Sequence, residues 1–96
     1  MITEPKIVLS LPLSDKALLP AFVEECLAEN VSLIAVVGEG CEQVEDEIDW
    51  LIVGDASDPT RFLTTSSHPG ETLEEVIEFA TTWWVSADGP TKVVRI

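Results

Sequence analysis

The apolar residues of this chain change their spacing several times along the sequence, and that alternation constrains the fold more than any other feature. Leu33–Val37 is an unbroken apolar run, which is typical of a strand covered on both faces of a parallel sheet. Between residues 18 and 27, just before this run, apolar residues recur at helical spacing. Strands that alternate with helices predict right-handed crossovers and a mainly parallel sheet.

Along the whole chain, the pattern predicts elements in the order β-α-β-α-β-β-α-β. The predicted strands cover residues 6–11, 33–37, 50–53, 61–65 and 92–96. The first predicted helix has Pro20 in its first turn, where a missing N–H costs little, and Asn30 as its terminator. A short second helix follows Gly40, and Trp50 is expected to open a buried strand in the core.

The third predicted helix carries the clearest local signal, a capping box formed by Thr72 and Glu75. In a T-x-x-E pattern each side chain bonds the backbone N–H of the other residue, so both donors at the helix end are satisfied. The residues that follow predict a buried face made of Leu73, Val76, Ile77, Ala80 and Trp84.

This order of elements predicts a single α/β domain over residues 1–96. We expect a compact three-layer arrangement in which a mainly parallel sheet of four to five strands carries about three helices. The architecture resembles flavodoxin-like or Rossmann-like domains, and the resemblance concerns the arrangement of elements alone. The pattern does not determine the order of the strands.

Composition is typical of a soluble globular domain. Hydrophobic residues make up 46% of the chain and the mean hydropathy is +0.25, which is too apolar for a disordered chain. No apolar stretch reaches the roughly 18 residues that a membrane-spanning helix needs, and residues 1–5 do not resemble a signal peptide. Cys26 and Cys41 are expected to remain thiols in a reducing compartment. The sequence therefore predicts a cytoplasmic protein.

The charge is strongly negative and unevenly distributed. Five Lys and Arg against 18 Asp and Glu give a formal net charge of −13. No basic residue lies between Lys16 and Arg61, and that interval holds eleven acids. Such a surface repels nucleic acid and anionic membranes, which are bound through basic patches, and it attracts a basic protein or a cation. The alternative is that the charge serves solubility alone.

Four ionisable side chains are candidate ligand or metal-binding residues because they follow predicted strands. Ligands of an open parallel sheet bind outside the carboxyl ends of its strands, where the sequence places Glu39, Asp55, Asp58 and His68. Converging carboxylates are suited to Mg²⁺ or Mn²⁺. Gly38-Glu39-Gly40 also begins like a dinucleotide-binding fingerprint, but Gln43 stands at the third glycine position. The alternative for all of these residues is turn chemistry.

The three carboxylates resemble the acidic site of nucleotidyl-transfer domains of the topoisomerase–primase type. Those domains use a Glu after one strand and a pair of Asp after the next, and Glu39, Asp55 and Asp58 follow successive predicted strands. The resemblance implies a metal-dependent enzyme that handles phosphoryl groups or nucleotides. The chain departs from that pattern because its pair is Asp-x-x-Asp and its intervening helix is short.

Residues 66–70 are predicted to form a loop that carries the only histidine. Ser66 and His68 would form a nucleophile–base pair if the hydroxyl lay within reach of the ring and a carboxylate oriented it. Asp55 and Asp58 are the candidates for that carboxylate. The alternative is a turn whose shape is fixed by its Pro and Gly residues.

Trp83 and Trp84 are the candidate partner contacts. They point about 100° apart on the predicted helix, so one can pack while the other is exposed, and an exposed Trp is a typical interface anchor. Packing of both in the core is the alternative. The sequence also leaves open a homodimer formed through an edge strand and this helix.

The sequence favours a non-enzymatic protein-binding or regulatory module that uses an acidic face against a basic partner, with no cofactor. The alternative is a small Mg²⁺- or Mn²⁺-dependent enzyme that uses the four candidate site residues. The first function is favoured because no motif combines a nucleophile, a base and a stabilising cation in one set of loops.

Overall fold

A computed structural model describes residues 6–54, 63–83 and 91–96, in which parallel strands alternate with helices. The strands are β1 (Lys6–Ser10), β2 (Leu33–Val37), β3 (Thr64–His68) and β4 (Thr91–Val94). The helices are α1 (Leu19–Ala28), α2 (Cys41–Val53) and α3 (Leu73–Thr82), with a 3₁₀ helix at Lys16–Leu18 before α1. No helix in this part of the chain has the length and apolar character needed to cross a membrane.

The four strands form one parallel sheet in the order β3-β2-β1-β4. The chain moves outward from β1 through β2 to β3, and then returns across the sheet to place β4 on the other side of β1. This is the strand order found in half of a Rossmann-like sheet. The predicted compact three-layer α/β fold is confirmed.

Alternate residues of the two central strands face opposite layers of helices. Towards α1 and α2 point Ile7, Leu9, Ile34 and Val36. Towards α3 point Val8, Leu33, Ala35 and Val37. All of these side chains are buried, which explains why β2 is a continuous apolar run rather than an alternating one.

The predicted ends of α1 are confirmed. Pro20 lies in its first turn, and Asn30 follows the helix in the left-handed conformation, with φ of +59°. Cys26 is fully buried on the inner face of α1. Burial, with a smaller contribution from the Glu25 carboxylate, raises the pKa of the Cys26 thiol to about 12, so this thiol stays protonated and unreactive.

The capping box of α3 is also confirmed. The Thr72 hydroxyl accepts a bond of 3.1 Å from the Glu75 N–H, and the Glu75 carboxylate accepts one of 2.9 Å from the Thr72 N–H. The Thr72 N–H, with a further contribution from the Thr72 hydroxyl, holds the pKa of the Glu75 carboxyl below its usual range. The helix ends at Thr82, two residues before the Trp84 that its predicted apolar face includes, because Trp83 is its C-cap and has extended backbone angles.

The prediction of a strand at residues 50–53 is wrong, because these residues form the last turn of α2. The helix presents one apolar stripe to the sheet and α1: Cys41, Val44, Ile48, Leu51 and Ile52. Trp50 lies off this stripe and is 76% exposed, so its predicted place in the core is also wrong.

The strand predicted at residues 61–65 lies further along the chain, at Thr64–His68; residues 61 and 62 are outside the described part. Ser66 and His68 are therefore on a strand and not in the predicted loop. β3 has no apolar residue. It is an edge strand whose position is set by pairing with β2 and by bonds from its side chains.

Candidate functional site

The outward face of α2 is the most unusual surface in the described part of the chain. Five of the thirteen residues of α2 are acidic and none is basic. The acids are Glu42, Glu45, Asp46, Glu47 and Asp49. Because the helix carries no Lys or Arg, these carboxylates have no i,i+4 cationic partner on their own helix. The surface is therefore negative along its whole length.

Neighbouring elements fix the orientation of three of these carboxylates. The Thr65 hydroxyl of β3 lies 3.0 Å from Glu45 Oε2 and 2.6 Å from Asp49 Oδ1. On the other side of the helix, Lys16 forms an ion pair with Glu47. These contacts hold the rim of the acidic surface in place while Asp46 remains exposed.

Trp50 stands on this acidic helix between two depressions. On the side of α1 is a groove of about 510 Å³, lined by Lys16, Ala17, Leu19, Pro20, Glu47, Trp50 and Leu51. On the other side is a smaller cleft of about 190 Å³, lined by Asp46, Asp49, Trp50 and Val53. The indole thus separates a mainly apolar groove from an acidic cleft. We name the outward face of α2 with these two depressions the Trp50 surface.

The Lys16–Glu47 ion pair forms part of the lining of the apolar groove. Both residues also line a third cleft, of about 580 Å³, which extends to Leu11, Pro12 and Gly40. The ion pair therefore stands between two depressions on the same side of α2.

The carboxyl ends of β2 and β3 form a further cleft of about 640 Å³. It is lined by Gly38, Glu39, Gly40, Cys41, Glu42, Gln43, Pro69, Gly70 and Glu71. Gly38 is required there, because its φ is +117° and an added Cβ would lie 2.9 Å from the Leu11 Cβ. The carboxylates of Glu39, Glu42 and Glu71 oppose binding of a phosphate at the start of α2.

Rossmann-like sheets bind ligands where the strand order reverses, which here is between β1 and β4. At that point the Ser14 N–H donates to the carbonyl of Ile96, and Ile96 packs against the core cluster under α1 and α2. The protein's own residues therefore bridge the position where such a sheet would accept a nucleotide.

The four candidate ligand or metal-binding residues have different outcomes. Glu39 is exposed in the loop before α2 and His68 ends β3, so both lie at the carboxyl edge of the sheet as expected. Asp55 and Asp58 lie outside the described residues. Within residues 6–54, 63–83 and 91–96, no group of three or more His, Cys, Asp or Glu side chains is placed to hold a metal ion.

His68 is buried and both of its ring nitrogens have partners. Nε2 lies 2.8 Å from the Ser66 hydroxyl and Nδ1 lies 2.9 Å from Glu71 Oε2. A carboxylate can only accept, so Nδ1 donates to Glu71, and Nε2 shares a hydrogen bond with the Ser66 hydroxyl. The ring also contacts Phe79 of α3 at a centroid distance of 4.6 Å. His68 has no nitrogen left for a metal.

These bonds match the order of a serine–histidine–carboxylate triad, with Glu71 in the place expected for Asp55 or Asp58. Ser66 and His68 contact each other because residues i and i+2 of a strand lie on the same face. Neither Ser66 nor His68 lines any of the four clefts described above. The arrangement joins β3 to the turn before α3 and, through Phe79, to α3 itself.

Trp83 and Trp84 were the sequence-based candidates for partner contact. Trp83 is half-buried and packs against the cluster under α3, while Trp84 lies outside the described residues. Trp50 was missed, because its four-residue apolar run was interpreted as a strand. The helical spacing of Cys41, Val44 and Ile48 continues to Leu51 and Ile52, and that signal places Trp50 outside the stripe.

Comparison with known proteins gives a family and no function. No curated protein and no solved structure matches the chain significantly. A family profile, described as a domain of unknown function (DUF7684), matches residues 7–94. That match covers nearly all of the sheet and its helices, and the chain therefore belongs to the DUF7684 family.

Proposed function

We propose that this chain is a non-enzymatic protein-binding module and that the Trp50 surface is its contact site. One observation carries the proposal: a tryptophan that is 76% exposed stands on a helix with five acids and no base. Trp is among the residues that most often dominate binding energy at protein interfaces. The buried stripe of α2 does not need this indole, since Ile48 and Ile52 already anchor the helix.

Burial of the exposed indole would contribute substantially to binding. An aromatic side chain buries roughly 150–250 Å², and apolar area contributes about 25 cal/mol per Å². Because 76% of Trp50 is exposed, covering it would contribute on the order of 3–5 kcal/mol before the costs of association. An anchor of this size is sufficient for a specific contact when the surrounding charges are also matched.

The charge around Trp50 supports a basic partner. Asp46 and Asp49 line the cleft beside the indole, so an Arg or Lys seated there would contact both the ring face and the carboxylates. The net charge of −13 would steer such a partner during its approach. A second copy of this chain would carry the same negative charge, which disfavours self-association through this surface.

We also place the protein in the cytoplasm. Cys26 and Cys41 are both free and buried, and free thiols fit a compartment that keeps cysteines reduced.

The proposal is tested by a nuclear magnetic resonance titration of the isotope-labelled protein with a defined probe. The probe is a capped helical peptide of leucine, alanine and arginine, called the arginine peptide; its control has glutamate at each arginine position. We expect the arginine peptide to shift the Trp50 indole and α2 amide signals. Binding should weaken from about 0.1 M to about 1 M salt, because the Debye length falls from ~10 Å to ~3 Å.

Three variants localise the binding. Trp50→Ala should weaken binding about 30-fold, which corresponds to ~2 kcal/mol for an interface anchor. Asp46→Asn should weaken it more than Glu78→Gln, which removes the same charge from an exposed position on α3. Equal binding of both peptides, or shifts confined to α3, would show that the Trp50 surface is not the contact site.

A further inference from the structure

We infer that Lys16 occupies the position on Glu47 that a cation of the partner takes when the partner binds. The partner presents this cation next to an apolar side chain, which enters the groove between α1 and α2. The inference rests on the proposed function and specifies the partner's chemistry at the Trp50 surface. It predicts a contact in which Lys16 and the partner compete for Glu47.

The geometry of the groove supports two adjacent binding positions. The groove is lined by the apolar side chains of Leu19, Pro20 and Leu51, and also by Trp50 and both members of the ion pair. Its volume of about 510 Å³ falls within the range of roughly 300–1,000 Å³ typical of ligand pockets. Because Trp50 and Glu47 both line this groove, an apolar side chain seated in it lies close to both, and a cation next to it along the partner reaches Glu47.

Replacing Lys16 by another cation at Glu47 costs little free energy. The side chains of Lys16 and Glu47 are 69% and 40% exposed, and a surface ion pair of this kind contributes only ~0–1 kcal/mol. Lys16 also extends from a short 3₁₀ helix, Lys16–Leu18, so its side chain can move to solvent without disturbing α1. A partner arginine would bind Glu47 more strongly than Lys16 does, because a guanidinium can form two parallel bonds to a carboxylate.

The occupant is a basic partner because the rest of this side of the molecule is acidic. Lys16 is one of five Lys and Arg residues in the chain, and its ammonium group lies where the acids of α2 meet the apolar groove. Once Lys16 is displaced, Glu47 joins Asp46 and Asp49 as a carboxylate that faces the partner. Displacement of Lys16 therefore removes a positive charge from the surface that the partner contacts.

The test is a double-mutant cycle with the arginine peptide as probe, measured by the shift of the Trp50 indole signal. Lys16→Ala removes the internal competitor and should tighten binding about two- to fivefold, which is the fold-change expected for a surface ion pair. Lys92→Ala is the matched control, because it removes the same charge from an exposed position on β4; it should tighten binding less.

The second half of the cycle repeats Lys16→Ala in a Glu47→Gln background. If Lys16 acts by occupying Glu47, Lys16→Ala in this background should change peptide binding no more than Lys92→Ala does. A peptide with alanine in place of leucine should also fail to shift the methyl signals of Ala17 and Leu19. Thermal unfolding of each variant shows that the fold is intact.

The outcomes separate this inference from the proposed function. If Lys16→Ala and Lys92→Ala tighten binding equally, or if the gain persists with Gln at position 47, the competition is wrong. Persistent shifts at Trp50 and α2 would then still support the proposed function. If the arginine peptide leaves the Trp50 surface unperturbed, the proposed function fails and the inference fails with it.

Discussion

The helices α2 and α3 pack on opposite faces of the same sheet and differ in almost every local feature. α3 begins with a complete capping box between Thr72 and Glu75, and His68 joins the preceding strand to its turn. α2 begins at Gly40 without a side-chain cap, carries five acids and exposes Trp50. Both helices bury an apolar stripe, so the difference lies in everything outside that stripe.

The contrast shows which helix is shaped by folding alone. In α3 the cap, the apolar pattern and the packing all favour one structure, as in a chain selected for stability. In α2 the inner stripe favours the fold, and Glu45 and Asp49 bond β3 through Thr65, but the outer face also gathers like charges and leaves Asp46 and the Trp50 ring exposed. Departures of this kind are expected at functional sites, and this is why the Trp50 surface is proposed as one.

The largest effect should come from the inner stripe of α2. Ile48 is fully buried, so Ile48→Ala should lower the free energy of unfolding by roughly 2–5 kcal/mol through lost burial and a residual cavity. Trp50→Ala, two residues later on the outer face, should change it by no more than about 0.5 kcal/mol. Urea denaturation measures both. Similar losses for the two variants would mean that Trp50 belongs to the core and that the two faces of α2 are not distinct.

The next effect concerns the different starts of the two helices. Thr72→Ala removes the cap of α3 and should cost about 1 kcal/mol, within the usual range of ~0.5–2 kcal/mol. Gln43→Ala, in the first turn of α2, should stay within about 0.5 kcal/mol, because α2 has no side-chain cap to lose. Chemical denaturation of the pair tests the difference. If Gln43→Ala were the more costly change, the start of α2 would hold a stabilising contact.

The smallest effect is a pH dependence at Glu75. Its bonds to Thr72 lower its pKa in the folded state, so the stabilisation is present above the unfolded value of ~4.3. It is lost as pH falls through the lower native value. Glu75→Gln keeps a side-chain acceptor but does not titrate, so its stability should fall less than that of the unsubstituted protein below about pH 5. Thermal melts across this interval measure the difference.

Glu74→Gln is the control for that measurement. It removes a charge from the same turn of α3 without touching the capping box. A pH profile altered as much by Glu74→Gln as by Glu75→Gln would assign the effect to the helix dipole instead of to the cap.

The central part of the fold could be predicted from the sequence because its signals are local. The run Leu33–Val37 gives β2 at its observed bounds, and the Thr72–Glu75 spacing gives the start of α3. These signals depend on residues within one element: burial on both faces for β2 and reciprocal side-chain bonds for α3. The alternation of such elements was enough to predict a parallel three-layer sheet.

The end of α2 and the position of β3 depend on contacts between elements, which a sequence pattern does not contain. The run Trp50–Val53 at the end of α2 is too short for periodicity to separate a strand from the last turn of a helix. β3 has no apolar residue at all, and it is held by pairing with β2 and by the bonds of Thr65 to α2. With residues 50–53 predicted as a strand, Trp50 is expected in the core, and the predicted partner contacts lie at Trp83 and Trp84 and not on α2.

The bonds of His68 have a practical consequence. The chain has a single histidine, and its two ring nitrogens are distinct because Nδ1 contacts Glu71 and Nε2 contacts Ser66. In ¹⁵N-labelled protein, imidazole nitrogen resonances separate the two neutral tautomers and the charged ring, so this one residue gives a signal that needs no further assignment. Because Glu71 and Phe79 both contact this ring, the signal reports whether α3 is docked on the sheet, independently of any event at Trp50 on the opposite face.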